Sequence, residues 1–586
     1  MSSIPRQSES LGRYASVVED ALRRLEAEQA TERIWAQDAT LWKSEDAHQK
    51  IIRNSLGWLR VARMIMERAG ELEEFSLEVR DAGFTHIMLL GMGGSSLCPE
   101  VLRRTFGMRK GFPELLVLDT TDPDTISSFE QHIDLARTLF IVASKSGTTI
   151  EPLSFYKYFF DRVRSIKGEA AGENFVAITD PGTLMERMAR EANFRRIFLN
   201  PADIGGRYSA LSFFGMVPAA LIGLDVEELL RRAVGMMDAC GEATALDENQ
   251  AARLGAVMGA LANEGRNKLT LIADERIASL GLWIEQLVAE STGKEGKGVV
   301  PVAGEPFALP EVYGDDRLFI SICVGETSEE ANKRLRALEV AGHVVVRRSL
   351  NDALDLGAEF FAWEFATAVA GHLMGINPFD QPNVQESKDN TNQLLEEFKQ
   401  MGALPEEKAL IAEDGLTVYR LSGMDWAGDS SASHTSSLLS LMTEFLSKVK
   451  AGDYIALLAY IQETKAHDEL LQAIRTHFRD SLRVATTTGY GPRFLHSTGQ
   501  LHKGGSDEGV FFQLTDDDRT DLSIPGEPYT FSTLKQAQAL GDFSSLAKRN
   551  RRAVRIHLGQ DAKEGLRKLE ELLRAAVSSD TQSRSA

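Results

Sequence analysis

From residue 11 to about residue 81, apolar positions recur at helical spacing, Leu11, Tyr14, Val18, Leu22 and Leu25 among them, with charged residues between. That period predicts a helical N-terminal layer over 1–80. The texture then changes. Short apolar runs at 86–90, 115–118, 139–143, 175–178 and 197–199 are separated by helix-like segments, the pattern of β-α-β units around a parallel sheet covered on both faces. A second series at 269–272, 299–302, 318–324 and 344–346 predicts a second sheet of the same kind, with a buried helix over 361–374. Runs at 454–460, 482–487, 510–514 and 554–557 either complete that second sheet or form a third unit; the pattern leaves both open.

The fold class expected is therefore α/β, with two doubly wound parallel-sheet domains of three αβα layers behind the helical segment. The first covers 81–245 and carries the anion-binding loops discussed below. The second covers 246–577 and includes a C-terminal extension. A surface loop is expected at 423–433, rich in Gly, Ser and Asp, and a disordered polar tail at 578–586.

Composition narrows the class. At 586 residues, 43% hydrophobic and 26% charged, the chain has the ordinary globular mix and room for two to four compact units. Its three cysteines, Cys98, Cys240 and Cys323, are too far apart for a thiolate metal site or a disulfide framework. The first ten residues lack the apolar run of a signal peptide and no apolar stretch is long enough to span a bilayer, so a cytoplasmic protein with no membrane partner is expected. A net charge of -20 argues against nucleic acid as a partner. An anionic substrate must then be held by local geometry.

Two loops offer that geometry. The strand at 86–90 runs through Gly91, Gly93, Gly94, Ser95 and Ser96 into a helix, and glycines let backbone approach a ligand while the helix start presents N–H groups. The strand at 139–143 leads into Ser144-Lys145-Ser146-Gly147-Thr148-Thr149, with Glu151 and Pro152 opening the next helix. Four hydroxyls in six residues at the carboxyl end of a parallel strand are a poor choice for packing and a good one for phosphate oxygens. Gly94, Ser95, Ser144, Lys145, Ser146, Thr148 and Thr149 are the candidate phosphate-binding residues. No Gly-x-x-x-x-Gly-Lys-Ser/Thr pattern points to a nucleoside triphosphate, so a small phosphorylated metabolite is preferred.

These loops, with Gly205-Gly206-Arg207-Tyr208-Ser209, Glu290-Ser-Thr-Gly-Lys294 and Ile376-Asn-Pro-Phe-Asp-Gln381, resemble the motifs of the phosphoglucose isomerase family, which is built from two sugar-isomerase (SIS) domains. The runs at 33–42 and 493–505 make the resemblance closest to the isomerase part of bifunctional transaldolase/phosphoglucose isomerase proteins. It covers nearly the whole chain. The residues before the first sheet are too few for a transaldolase barrel of ~250 residues, so isomerase activity only is expected.

The resemblance implies an aldose–ketose isomerase that interconverts glucose 6-phosphate and fructose 6-phosphate through an enediol, with a phosphorylated hexose as its partner and no cofactor. Moving a proton between C2 and C1 needs one general base, and by resemblance it is Glu290. Arg207, after two glycines, can bring a guanidinium to the developing enediolate oxygen. Gln286, one helical turn before Glu290, and Gln381 resemble the family's substrate-binding glutamines, and Lys388, seven residues after Gln381, its ring-opening lysine. Two departures stand out. Asn383 replaces a usual glycine, and no ring-opening histidine lies between Glu290 and Gln381, where His343 and His372 read as packing residues. The comparable run, His496-Ser-Thr-Gly-Gln-Leu-His502, follows Lys388 instead, so His496 is expected to open the ring, with His502 second. The acids and histidines lack a convincing metal-ligand spacing, and the resemblance also raises a homodimer. The competing readings are another SIS-type sugar-phosphate isomerase and a noncatalytic sugar-phosphate sensor. The sensor would keep the hydroxyl loops but has no need of Glu290, Arg207, Gln286 and Lys388 together.

Overall fold

The computed structural model describes residues 4–419 and 437–585, so the loop expected at 423–433 lies outside the described residues. The first ordered element is a strand, β1 (Arg6–Ser10), inside the segment expected to be helical. Its residues are all polar, so hydrophobic period carries no trace of it. It is an edge strand held by antiparallel pairing to a partner some 340 residues on. The helical layer begins after it.

Strands β2 (His86–Leu90), β3 (Glu114–Leu118), β4 (Thr138–Ala143), β5 (Phe175–Thr179) and β6 (Arg196–Leu199) form a parallel sheet in the order β3-β2-β4-β5-β6. A second sheet contains β7 (Lys268–Ala273), β8 (Val300–Val302), β9 (Arg317–Val324) and β10 (Val344–Leu350), in the order β1-β10-β9-β7-β8. The C-terminal part forms a third sheet of its own: β11 (Ala409–Glu413), β12 (Leu416–Tyr419), β13 (Tyr454–Tyr460), β14 (Ala485–Tyr490), β15 (Gly509–Thr515) and β16 (Arg552–His557), ordered β11-β12-β16-β15-β13-β14. The extension expected within 246–577 is thus a separate sheet unit.

All three sheets share one winding. In each, the first parallel strand (β2, β7 or β13) has the second on one side and the third on the other. The chain reverses direction across the sheet there, and the crevice outside the carboxyl ends at such a switch point is where open α/β sheets bind ligands. In the first sheet it opens between β2 and β4, which carry the two candidate loops.

Burial explains why these segments adopt their forms. Every residue of β4 is buried, as a central parallel strand requires. The helix Leu356–Met374 is apolar nearly all round and buried at all 19 positions. One core joins the N-terminal helices to the first two sheets, and a second fills the third unit. The strand expected at 482–487 starts later, at Ala485, because the amphipathic helix Lys465–Leu482 runs through Leu482. Of the tail expected to be disordered, residues 578–585 continue the helix Ala562–Ser585, whose Leu566, Leu569, Leu573 and Val577 pack on the third unit. No helix among the described residues is long and apolar enough to cross a membrane.

Candidate active site

The loops after β2 and β4 meet at a cavity of about 230 Å³ outside the switch point of the first sheet. Its lining includes Gly94, Ser95, Ser144, Lys145, Ser146 and Thr149 from these loops, Arg207, Gln286 and Glu290 from the middle of the chain, and Gln381, Lys388 and His496 from beyond it. Thr148 lies apart. It lines an adjoining chamber of about 280 Å³, which shares Ser146, Thr149, Lys388 and His496 with the first.

Close backbone approach makes this convergence possible. A Cβ on Gly94 would stand 2.0 Å from the carbonyl oxygen of Gly206, so the two glycine loops touch with no room for a side chain. That contact sets Arg207 beside the first loop. In the second loop the hydroxyls bond one another: Ser144 Oγ donates to Thr149 Oγ1 at 3.2 Å and Thr148 Oγ1 to Ser146 Oγ at 3.1 Å. Lys145 is turned to Asp180 and to the carbonyl of Ala202, 2.9 Å away, so it borders the cavity while its ammonium is already paired.

Glu290 sits in the last turn of the helix Leu280–Thr292 and is 8% exposed. Gln286, one turn earlier, donates through Nε2 to Glu290 Oε2 at 3.1 Å and to the carbonyl of His496 at 2.7 Å. The guanidinium of Arg207 is buried and fixed by four partners. Nε donates to Ser291 Oγ at 2.7 Å, Nη1 to Gln381 Oε1 at 3.0 Å, and Nη2 to the carbonyls of Pro378 and Asp380 at 2.6 and 3.0 Å. Nη1 is left 3.7 Å from Glu290 Oε1. A buried cation already held in place costs little reorganisation when negative charge develops beside it.

Lys294, just past that helix, donates to Asp380 Oδ1 at 2.8 Å and ties down the segment bearing Gln381. Burial, then the charge of Arg207, pushes its ammonium down to about 8, with Asp380 pulling the other way. Lys388 lies exposed on the helix Pro382–Met401, facing both chambers.

The third unit supplies His496, in the 3-10 turn Arg493–His496 that follows β14. Arg493 anchors the turn with two 2.8 Å hydrogen bonds to Asp119, at the carboxyl end of β3. His496 Nε2 is 2.9 Å from Glu151 Oε1, in the first turn of the helix Ile150–Lys167. Burial alone would raise the Glu151 carboxyl, but the charge and hydrogen bond of His496, with Lys388 beyond, hold it below the usual carboxylate range.

A model of the phosphoglucose isomerase family matches residues 74–301. A glucose-6-phosphate isomerase of Rubrobacter xylanophilus is 31% identical over 387 residues, which are 56% of this chain and 87% of that protein. The chain belongs to the phosphoglucose isomerase family. A probable glucose-6-phosphate isomerase of Methanococcus maripaludis is 27% identical, over 59% of this chain and 86% of that one. Among solved structures, a hypothetical protein of Thermus thermophilus shares the fold with a TM-score of 0.57 at 24% identity, across 67% of this chain and 99% of its own. A glucose-6-phosphate isomerase of Chlamydia trachomatis aligns at a TM-score of 0.50 and 20% identity, over 67% of this chain and 89% of that one.

The second histidine of the 493–505 run lies away from the cavity. His502 is 2% exposed, its ring packs on Phe511 at 5.1 Å, and burial, then the charges of Lys503 and Arg551, push it well below its usual range. It is a neutral core ring, absent from the cavity lining. His372 bonds the carbonyl of Leu41 at 2.8 Å and Glu28 at 2.7 Å, and His343 lies in the turn before β10 against Phe319, both away from the cavity. Among the described residues, two clusters do have metal-compatible spacing. His86, Glu114 and His132 lie at the far end of the first unit, near the amino ends of β2 and β3, while Asp122, Asp516 and Asp518 close on the ammonium of Lys535.

Sequence reasoning singled out Glu151 only as the opening of a helix. Its signal was an acid in a first turn next to four hydroxyls, and its 3% exposure is what sets it apart. Gln538, which donates to Glu151 at 2.7 Å from the third unit, carried no signal in the sequence.

Proposed function

We propose that this chain interconverts D-glucose 6-phosphate and D-fructose 6-phosphate, with Glu290 as the base that carries the proton between C2 and C1. The observation that carries this reading is the single cavity in which a hydroxyl-lined loop, a buried carboxylate and a fixed guanidinium converge. The substrate phosphate is taken by Ser95, Ser144, Ser146 and Thr149 at the carboxyl ends of β2 and β4, with Thr148 at its outer edge. Lys145 contributes charge from behind.

His496, oriented by Glu151, and Lys388 handle the proton exchange at the ring oxygen and the anomeric hydroxyl that opens the ring. Glu290 then removes the C2 proton of the open aldose. The electron pair passes through the C1–C2 bond to the carbonyl oxygen, giving an enediolate whose charge Arg207 stabilises. A proton passes from the C2 hydroxyl to O1, Glu290 returns its proton to C1 as the electron pair on O2 closes the C2 carbonyl, and the ketose results. Gln286 and Gln381 hold the base and the guanidinium in register and bind substrate hydroxyls. One carboxylate serves both steps, so the proton need not leave the site.

The three sheets are read as two SIS domains and a C-terminal unit that completes the site. A cytoplasmic location and association as a homodimer belong to the same reading and rest on the resemblance. The test is a coupled assay in which purified protein converts fructose 6-phosphate and a glucose-6-phosphate dehydrogenase reports the product. Absence of turnover at millimolar substrate, with phosphate-ester binding intact, would turn the reading toward a sensor.

A further inference from the structure

Glu151 Oε1 accepts a hydrogen bond from Gln538 Nε2 at 2.7 Å and lies 2.9 Å from His496 Nε2. Gln538 comes from the helix Phe531–Lys548 of the third unit, which no motif touched. Thr121 Oγ1, in the loop after β3, donates to Gln538 Oε1 at 2.7 Å, and the acceptor-only carboxylate of Glu151 sets the amide nitrogen on its own side. Thr121, Gln538 and Glu151 are 0%, 2% and 3% exposed, which shields these bonds from bulk solvent, and Glu151 and Gln538 border the second chamber. Hydroxyl to amide oxygen and amide nitrogen to carboxylate, with the imidazole against the same carboxylate oxygen, link the first and third units.

We infer that Gln538 is a positioning residue for ring opening: it holds Glu151 as an anion and thereby fixes which nitrogen of His496 is protonated. An amide N–H donates without being able to give up its proton, so it stabilises the carboxylate and never competes for the histidine's proton. The anion keeps the proton of His496 on Nε2, which leaves Nδ1 to exchange a proton with the sugar. A protonated Glu151 would reverse that tautomer. The other titratable groups that act on Glu151 are Lys388, from the helix Pro382–Met401, and Tyr460, at the end of β13. Lys388 favours the anion, and the Tyr460 hydroxyl is pushed well above its usual range by burial and stays neutral. The proposal rests on the reading of His496 as the ring-opening group.

The test uses the full chain and four variants, Gln538→Leu, Thr121→Val, Thr121→Ser and His496→Ala, on fructose 6-phosphate and on its 5-deoxy analogue, which cannot close a furanose ring. Gln538→Leu should cost about tenfold in turnover on fructose 6-phosphate, the order expected for one hydrogen bond to a charged group. It should cost less than about threefold on the 5-deoxy analogue. Removing the donor raises the affinity of the Glu151–His496 pair for its proton, so the acid limb of the fructose 6-phosphate profile should move to higher pH. Thr121→Val should follow in the same direction, and Thr121→Ser, which keeps the hydroxyl, should restore both values. The 15N shifts of the His496 ring, assigned by their absence in His496→Ala, should change in Gln538→Leu toward a mixture of tautomers. Equal losses on both substrates with an unmoved acid limb, or unchanged 15N shifts, overturn the inference and leave Gln538 a packing residue. If His496→Ala itself hits both substrates equally, the ring-opening reading fails, while the ring shifts still decide whether Gln538 sets the tautomer.

Discussion

His496 Nε2 stands 2.9 Å from Glu151 Oε1 although 345 residues separate them, so the third sheet completes a site whose other half belongs to the first. His496→Ala should therefore slow conversion of cyclic fructose 6-phosphate by at least ~100-fold, the lower range for general acid–base catalysis. The 5-deoxy analogue should be affected far less. Equal losses on the two substrates would remove His496 from ring opening.

Glu290→Gln preserves the size of the side chain and its bond from Gln286 but removes the base. Turnover should fall at least ~100-fold while the fold and the affinity for phosphate esters are kept. Binding measured by calorimetry with a nonreacting hexitol 6-phosphate separates the two effects. Near-normal turnover would exclude Glu290 as the proton carrier.

The double change Ser144→Ala with Thr149→Ala removes a hydroxyl pair 3.2 Å apart at the carboxyl end of β4. The phosphate lies away from the reacting carbons, so the change should raise KM with little effect on kcat. A fall in kcat at constant KM would contradict the phosphate-loop reading.

Gly94→Ala places a methyl group 2.0 Å from the carbonyl of Gly206, a backbone atom that cannot rotate away. Forced separation of the loops should cost roughly 1–3 kcal/mol of stability and displace Arg207. Thermal unfolding and kcat/KM should both fall, and an unchanged Tm with full activity would mean that the loops do not touch in solution.

Lys294 gives a pH signature. Burial and then Arg207 push its ammonium down to about 8, whereas in the unfolded chain it holds its proton to about 10.4. Between those values the unfolded state binds more protons than the folded one, so this group makes stability rise with pH. At neutral pH the buried charge is a cost. Urea unfolding of Lys294→Met at pH 7.5 and 9.5 should lack that rise relative to the unchanged protein, and identical slopes would show that Lys294 does not titrate there.

The sequence by itself determined the parallel strands of the three sheets to within a few residues, because such strands are apolar along their whole length and are punctuated by turns; the antiparallel β11 and β12 were not among its strands. It also fixed the anion loops, since glycines and four hydroxyls at a strand end are legible without neighbours. Polar β1 escaped it because an edge strand is held by backbone pairing with β10, which leaves no hydrophobic period. Whether the C-terminal runs joined the second sheet or built a third was equally beyond it. Apolar strands state that they are buried, and only hydrogen-bond register states beside which strand. The same limit applies at the site. His496 and His502 sit in one motif, six residues apart, and nothing local distinguishes them. Tertiary packing decided between them, turning one to Glu151 at the cavity and sealing the other among Tyr454, Phe494 and Phe511, where a charged imidazole could not be solvated.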